Sequence, residues 1–278
     1  MLRNCRRRWL AIAAALLSAA LLPATADRSA AASPEEVAAA DSAWPGLVTD
    51  VFDGRPMQDG AGIITLEAPA RAADPALVPV TLTLDPAKAI RKVTLVIDEN
   101  PSPVAATFTI GEKAGLTQLS TRVRVNAYTD IHAVAEAADG TLYMVKRFVK
   151  AAGGCAAPAG KDPELAAREM GQMKLRRFPP DAANGGRSEA QLMIRHPNNS
   201  GLQKDQVTLL YIPAHFITDL TVSRDGQPVF TMSGGISISE DPSFRFDYAA
   251  DGGPGTFAAM ARDTEGKVWE KTFTQGDS

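Results

Sequence analysis

Hydrophobic and polar residues alternate along the chain in short segments that favour β-strands. Val, Ile, Leu, Thr and aromatic residues fill these segments, and Pro, Gly, Asp and Asn separate them. Arg122 to Val125, for example, alternates polar and apolar residues, as a strand with one buried face does. The predicted strands are 63–66, 78–84, 93–97, 107–110, 119–125, 131–136 and 142–149, followed by 190–195, 206–211, 217–223, 229–232, 244–248, 255–262 and 268–274. This pattern predicts an all-β protein with two immunoglobulin-like β-sandwich domains in tandem.

The two halves of the chain also resemble each other at a nearly constant offset. The matching pairs are Ile90–Leu95 with Ile217–Val222 at an offset of 127, Pro103-Val104 with Pro228-Val229 at 125, and Ala135, Gly140 and Tyr143 with Ala261, Gly266 and Trp269 at 126. Shared turn chemistry in any two sandwiches is the alternative explanation. We predict two sandwiches of one topology that pack side by side, each ending in a hairpin around a glycine turn.

The N-terminus has the features of an exported protein. Four arginines precede an apolar run from Trp9 to Leu22, and Ala24-Thr25-Ala26 offers small residues for cleavage. We interpret residues 1–26 as a signal peptide and predict a periplasmic location, because the run is shorter than the ~20 residues that a membrane span needs. Arg6 to Leu10 is also similar to a twin-arginine export signal. Ser33-Pro34-Glu35-Glu36 then predicts a short N-terminal helix that ends near Ala43.

Charge and cysteine usage narrow the possible functions. The formal net charge of −3 argues against nucleic acid as a partner. Removal of the signal peptide removes Cys5 and leaves Cys155 without an internal disulfide partner. His132, His196 and His215 are scattered along the sequence, so no metal site is expected. No nucleophile elbow, phosphate loop or dinucleotide fingerprint is present, and we expect a protein without catalytic residues or cofactor.

Cys155 lies in a segment that is poor in large side chains. Gly153 and Gly154 precede it, Ala156-Ala157-Pro158 follows, and we predict a flexible interdomain arm over residues 151–172. The predicted domains on either side are 33–150 and 173–278. No base lies near Cys155 in sequence, so self-activation is poor. We expect an exposed thiol with a nearly ordinary pKa, suited to presentation to another protein; an incidental cysteine is the alternative.

These residues carry a resemblance to a known family. Gly153-Gly154-Cys155 after Phe148-Val149-Lys150 resembles the carrier arm of SoxY, and Val123–Phe148 resembles its final hairpin. The second half resembles SoxZ in His196-Pro197, Gly201, Lys204-Asp205, Pro213, Ile217, Gly226, Val229-Phe230 and Gly255-Thr256-Phe257. Both in one chain resemble the quinoprotein dehydrogenase-associated SoxYZ-like carriers. The arm differs from that of SoxY, because here the chain continues beyond the cysteine and anchors the arm at both ends.

The resemblance implies a covalent carrier without turnover of its own. Cys155 would hold a sulfur-containing intermediate while partner enzymes load, modify and release it. The implied partners are sulfur-oxidation-type enzymes, c-type cytochromes and a quinoprotein alcohol dehydrogenase. Two other functions stay open: a non-covalent accessory module for assembly of a quinoprotein dehydrogenase, and a redox partner whose thiol cycles through mixed disulfides.

Overall fold

The computed structural model describes residues 42–158, 160, 163–181, 187–249, 253 and 255–275. One helix, α1 (Trp44–Phe52), precedes the first strands, and a second, α2 (Pro163–Glu169), lies between the two halves. The strands are β1 (Met57–Asp59), β2 (Ile64–Glu67), β3 (Val78–Leu84), β4 (Ile90–Ile97), β5 (Val104–Ile110), β6 (Gln118–Val123), β7 (Thr129–Ala137), β8 (Leu142–Val149), β9 (Met173–Asp181), β10 (Arg187–Ile194), β11 (Ile217–Arg224), β12 (Gln227–Gly234), β13 (Ser243–Tyr248), β14 (Phe257–Asp263) and β15 (Val268–Phe273).

The described strands form two sheets that both run through the two halves of the chain. The larger sheet has the order β1-β8-β7-β4-β5-β12-β11-β14-β15, and the smaller has the order β2-β3-β6-β13-β10-β9. Outward from the centre of each sheet, the order is β5-β4-β7-β8 on one side and β12-β11-β14-β15 on the other in the larger sheet, and β6-β3-β2 and β13-β10-β9 in the smaller. Equivalent strands of the two halves thus occupy equivalent places. The two halves are therefore related by an approximate two-fold axis, and the predicted all-β tandem is confirmed.

The pairing register at the centre of each sheet supports this symmetry. β5 pairs with β12 so that Thr107 lies opposite Ser233 and Phe108 opposite Met232, which are 126 and 124 residues apart. β6 pairs with β13 so that Leu119 lies opposite Phe246, 127 residues away. The residues that pair across the axis are thus separated in sequence by about the same number of residues as the repeated segments of the two halves. Each half protects an edge strand of the other.

One hydrophobic core fills the space between the sheets across both halves. Phe108 of the first half packs edge-on against Phe230 and Phe244 of the second, with ring centroids 6.2 and 6.3 Å apart. The alternation in β3, in which every second side chain is buried, supplies Val78, Val80, Leu82 and Leu84 to the same core. The described residues, which begin at Ser42, accordingly all belong to one compact unit.

The strand predictions differ from the structure in two places. The segment 206–211 is a turn within a long loop and not a strand, because Asp205 binds the backbone N–H groups of Val207 and Thr208. Strand β9 was not predicted. The predicted signal peptide and most of the predicted helix over 33–43 lie outside the described residues; Ser42 and Ala43 are not helical, and α1 begins at Trp44.

Candidate functional site

The residues around Cys155, which we call the cysteine segment (residues 151–158), fold back onto the first half. After β8, the N–H of Gly153 donates to the carbonyl of Asn126 at 2.8 Å, and the N–H of Gly154 donates to that of Val125 at 3.0 Å. Residues 154–156 form a turn. These bonds tie the segment to the residues that follow β6, at the centre of the smaller sheet.

Gly154 makes the close approach possible. A Cβ atom at this position would lie 2.1 Å from the carbonyl oxygen of Pro75 and 2.6 Å from that of Val125. Real Cβ atoms do not come so close to backbone oxygens, so in this conformation only glycine fits. Gly153 has open space around it but a φ of +78°, which also favours glycine.

The second half of the chain holds the segment from the other side. Ser200 donates through its hydroxyl to the carbonyl oxygen of Cys155. Gln203 donates through Nε2 to the carbonyl oxygen of Ala157 at 2.9 Å. We call Ser200 and Gln203 the latch. The cysteine segment thus lies between the two halves and is bonded to both.

Cys155 is completely buried in this position, with an exposed fraction of 0%. The expectation of an exposed, unhindered thiol is therefore wrong for this conformation. Burial raises the pKa of the Cys155 thiol above its ordinary value, and the positive charge of Arg124 offsets part of that rise. The small residues of this segment predict an open arm, whereas in the structure they permit close packing.

A buried arginine lies under the cysteine segment. Arg124 is 2% exposed, and its Nη1 and Nη2 donate to the carbonyl oxygens of Gly154 and Asn198, both at 3.3 Å. Burial lowers the pKa of its guanidinium, although the nearby Cys155, Glu240 and Asp74 act in the opposite direction. The sequence alternation placed Arg124 on a solvent-facing side, but β6 ends at Val123, and beyond the strand the period of two no longer applies.

The loop that carries the latch, residues 195–216, is fixed by buried polar groups. Asn198 has a φ of +42° and accepts a hydrogen bond on its side-chain oxygen from the N–H of Ile217. Its own N–H donates to Nδ1 of His196 at 3.1 Å. Burial, together with the charge of His215, lowers the pKa of His196 to about 4. His196 is therefore neutral at ordinary pH.

Two histidines that are apart in sequence meet at this loop. One potential metal-ligand atom from each of His196, His215 and Asp263 lies within 4.8 Å of the other two, which is close enough for a shared metal ion. Nδ1 of His196 accepts the Asn198 N–H bond, so the proton of its neutral ring is on Nε2, which faces Asp263 at 3.6 Å. A protonated nitrogen has no lone pair for a metal. His215 already binds Asp263 through Nε2 at 2.6 Å, and the cluster fits a hydrogen-bond network better than a metal centre.

The structure brings together residues that sequence reasoning treated separately or missed. Cys155, Gly153 and Gly154 were predicted, but Arg124, Ser200 and Gln203 were not. Arg124 falls within a predicted strand and has no sequence feature that marks it as functional. Ser200 and Gln203 lie 45 or more residues beyond the cysteine. Only the isolated Gly-Gly-Cys sequence pointed to this place.

Comparison with known proteins defines both halves. Residues 48–155 match the family model described as sulfur oxidation protein SoxY, and residues 175–274 match that of sulphur oxidation protein SoxZ. The chain is a SoxY-family domain followed by a SoxZ-family domain. Together the two matches cover about three quarters of the sequence, and the SoxY match ends at Cys155. SoxY and SoxZ are sulfur carrier proteins of sulfur oxidation.

Solved structures and curated proteins add less. The sulfur carrier protein SoxY from Chlorobium limicola f thiosulfatophilum is 26% identical over 39% of this chain and 94% of its own, with a TM-score of 0.33. A glycosyl hydrolase family 2 member from Bacteroides cellulosilyticus DSM 14838 is 11% identical over 76% of this chain and 28% of its own, with a TM-score of 0.21. No curated protein matched. Among the described residues, no helix has the length and apolar character to cross a membrane.

Proposed function

We propose that this protein is a gated covalent carrier in which Cys155 holds a sulfur-containing intermediate. The observation that carries the proposal is the position of Cys155: the last residue of the SoxY match lies buried between the two halves. Such burial protects a thiol from oxidation between partner enzymes. The segment over residues 151–172 acts as the arm, Gly153 and Gly154 let it move, and domains over 33–150 and 173–278 flank it.

Few interactions would have to break for the thiol to become accessible. Ala152, Gly153, Ala156 and Pro158 are already exposed, so the residues that opening newly exposes are mainly Ala151, Gly154 and Cys155. Five hydrogen bonds hold the segment: two from the latch, two from the N–H groups of Gly153 and Gly154, and one from Arg124. Each such bond is worth about 1 kcal/mol. Local opening should therefore occur without unfolding of the sheets.

The surface beside the latch suits a partner enzyme. Leu209 and Leu210 lie in the same loop and are 68% and 70% exposed, and Val207 next to them is 89% exposed. Exposed apolar patches of this kind mark interaction sites. A sulfur-oxidation-type enzyme that contacts this tip would act directly on the loop that closes over Cys155.

The remaining parts of the proposal concern location and partners. Residues 1–26 would direct export to the periplasm, and the carrier itself would not catalyse turnover. Joining the Cys155 thiol to the sulfur of an anionic compound through a new S–S bond releases two electrons and the thiol proton. A c-type cytochrome would accept those electrons, and a quinoprotein alcohol dehydrogenase is a further partner that we propose from the family resemblance.

The intact mass of the protein from its native periplasm tests the carrier function. We expect a mass increase on Cys155 that a reducing agent removes and that a Cys155→Ser variant lacks. A mixed disulfide with another protein would favour the redox-partner function instead. An unmodified thiol during growth on reduced sulfur compounds, together with unchanged function of Cys155→Ser, would overturn the proposal in favour of an accessory module.

A further inference from the structure

We propose that Arg124 selects negatively charged groups for attachment to Cys155, an inference that rests on the carrier function proposed above. The argument begins with the state of the guanidinium. Within the part of the chain that the structure describes, Arg124 forms no ion pair, and its Nε, although buried, has no hydrogen-bond partner. Its other contacts to the cysteine segment and to the loop are two carbonyl oxygens at 3.3 Å.

A buried cation without an anion is an unfavourable arrangement. Removing a charge from water costs several kcal/mol, which is regained only through close opposite charge or strong hydrogen bonds. Asp74 and Glu240 act on Arg124 through their charge, but among the described residues neither forms an ion pair with it; they accept the N–H groups of Ala76 and Gly160, each at 2.8 Å. The guanidinium therefore retains the capacity to bind an anion.

The backbone keeps Arg124 beneath Cys155 whether or not the segment is docked. Its N–H donates to the carbonyl of Ser237 at 2.7 Å, and its carbonyl accepts from Nδ2 of Asn100 at 2.7 Å. Neither bond involves the cysteine segment. Opening that breaks the bond from Nη1 to the Gly154 carbonyl frees the guanidinium while Cys155, the next residue, is still beside it.

A purely structural role for Arg124 is the competing explanation. Because Nη1 binds a carbonyl group of the cysteine segment and Nη2 one of the second half, the side chain, which belongs to the first half, also joins these three parts. That role predicts a loss of stability in a variant but no preference for the charge of an incoming group. Charge selectivity in the unmodified protein therefore separates the two explanations.

Three methanethiosulfonate reagents of one length but different charge provide the test. They carry a 2-sulfonatoethyl, a 2-hydroxyethyl or a 2-(trimethylammonio)ethyl group. In each reaction the Cys155 thiolate attacks the sulfenyl sulfur, the new S–S bond forms, and methanesulfinate leaves with the electron pair; the thiol proton passes to buffer. Rates are measured by intact mass at low salt and divided by those of a peptide with the sequence of residues 151–158.

We expect the normalised rate of the anionic reagent to exceed that of the cationic reagent by about tenfold or more, as a unit charge a few ångströms away in a partly desolvated site dictates. Arg124→Lys should retain most of this ratio, and Arg124→Gln should bring it to about one. Arg122→Gln, which removes an equal charge two residues away, should change it less than twofold. A normalised ratio near one in the unmodified protein would overturn the proposal even if Arg124→Gln fails to fold. The carrier function would survive that result, because it depends on the adduct found in native protein.

Discussion

The two halves share one topology, and the connection in which they differ most is the one that links the two sheets after β3 and β10. In the first half, β3 and β4 are joined by five residues, 85–89, that form a short 3₁₀ turn. In the second half, the equivalent strands β10 and β11 are joined by 22 residues, 195–216. That longer loop carries the latch, His196 and Asn198. The symmetric sheets thus supply a rigid frame, and the asymmetric loop supplies the groups that close over Cys155.

Low pH should have the largest effect, a loss of folding stability that originates in the longer connection of the second half. His196 has a pKa of about 4 in the folded protein and an ordinary value of 6.5 when unfolded. Between these values the unfolded state binds more protons, so stability is lost as pH falls from 6.5 to 4. The maximum loss from this residue is about 3 kcal/mol. Urea unfolding of the unmodified protein and of His196→Gln, at pH 7 and pH 4.5, measures it.

His196→Gln should show a smaller loss between the two pH values than the unmodified protein. An equal loss in both proteins would place the acid sensitivity elsewhere and remove this distinction between the two connections.

Gly154 should have the next largest effect, because its Cβ clash is with fixed backbone. Gly154→Ala should destabilise the docked segment by about 2 kcal/mol, equivalent to roughly thirtyfold faster alkylation of Cys155. The sheets should remain folded, since Pro75 and Val125, which carry the clashing carbonyls, both lie outside the strands. Ala156→Ser, at an exposed neighbouring position, is the matched control and should label at the unmodified rate. Slow labelling of Gly154→Ala would show that the close approach is not what shields the thiol.

The latch should have the smallest effect of the three. Ser200→Ala and Gln203→Ala each remove one hydrogen bond to the cysteine segment, worth about 1 kcal/mol, so alkylation should accelerate roughly fivefold in each. Thr208→Ala, in the same loop but distant from the segment, serves as control. If the latch variants label no faster than Thr208→Ala, the second half does not control access.

The sequence predicted the repeated frame well because that frame obeys local rules. The strand patterns, the glycine turns at Gly140 and Gly266 and the offset near 126 each reflect a short stretch of chain, and both glycines have the expected positive φ.

The closed site could not be predicted because it depends on contacts distant in sequence. The approach of Gly154 to Pro75 spans 79 residues, and that of Ser200 to Cys155 spans 45. Small residues are compatible with an open arm and with a tightly packed one, and only tertiary contacts distinguish them. Arg124 shows the same limit, because its burial depends on where β6 ends.

The rate of Cys155 alkylation by a small neutral reagent, measured across increasing urea, tests the central claim most directly. The account predicts labelling at least about a hundredfold slower in the native protein than in the unfolded one, from burial and the five hydrogen bonds that hold the cysteine segment. It also predicts measurable labelling below the global unfolding transition, with weak urea dependence, because only the cysteine segment opens. A native rate within a few-fold of the unfolded rate would show an open arm. Labelling that appears only with global unfolding would show a structural cysteine, and either result would contradict a gated carrier.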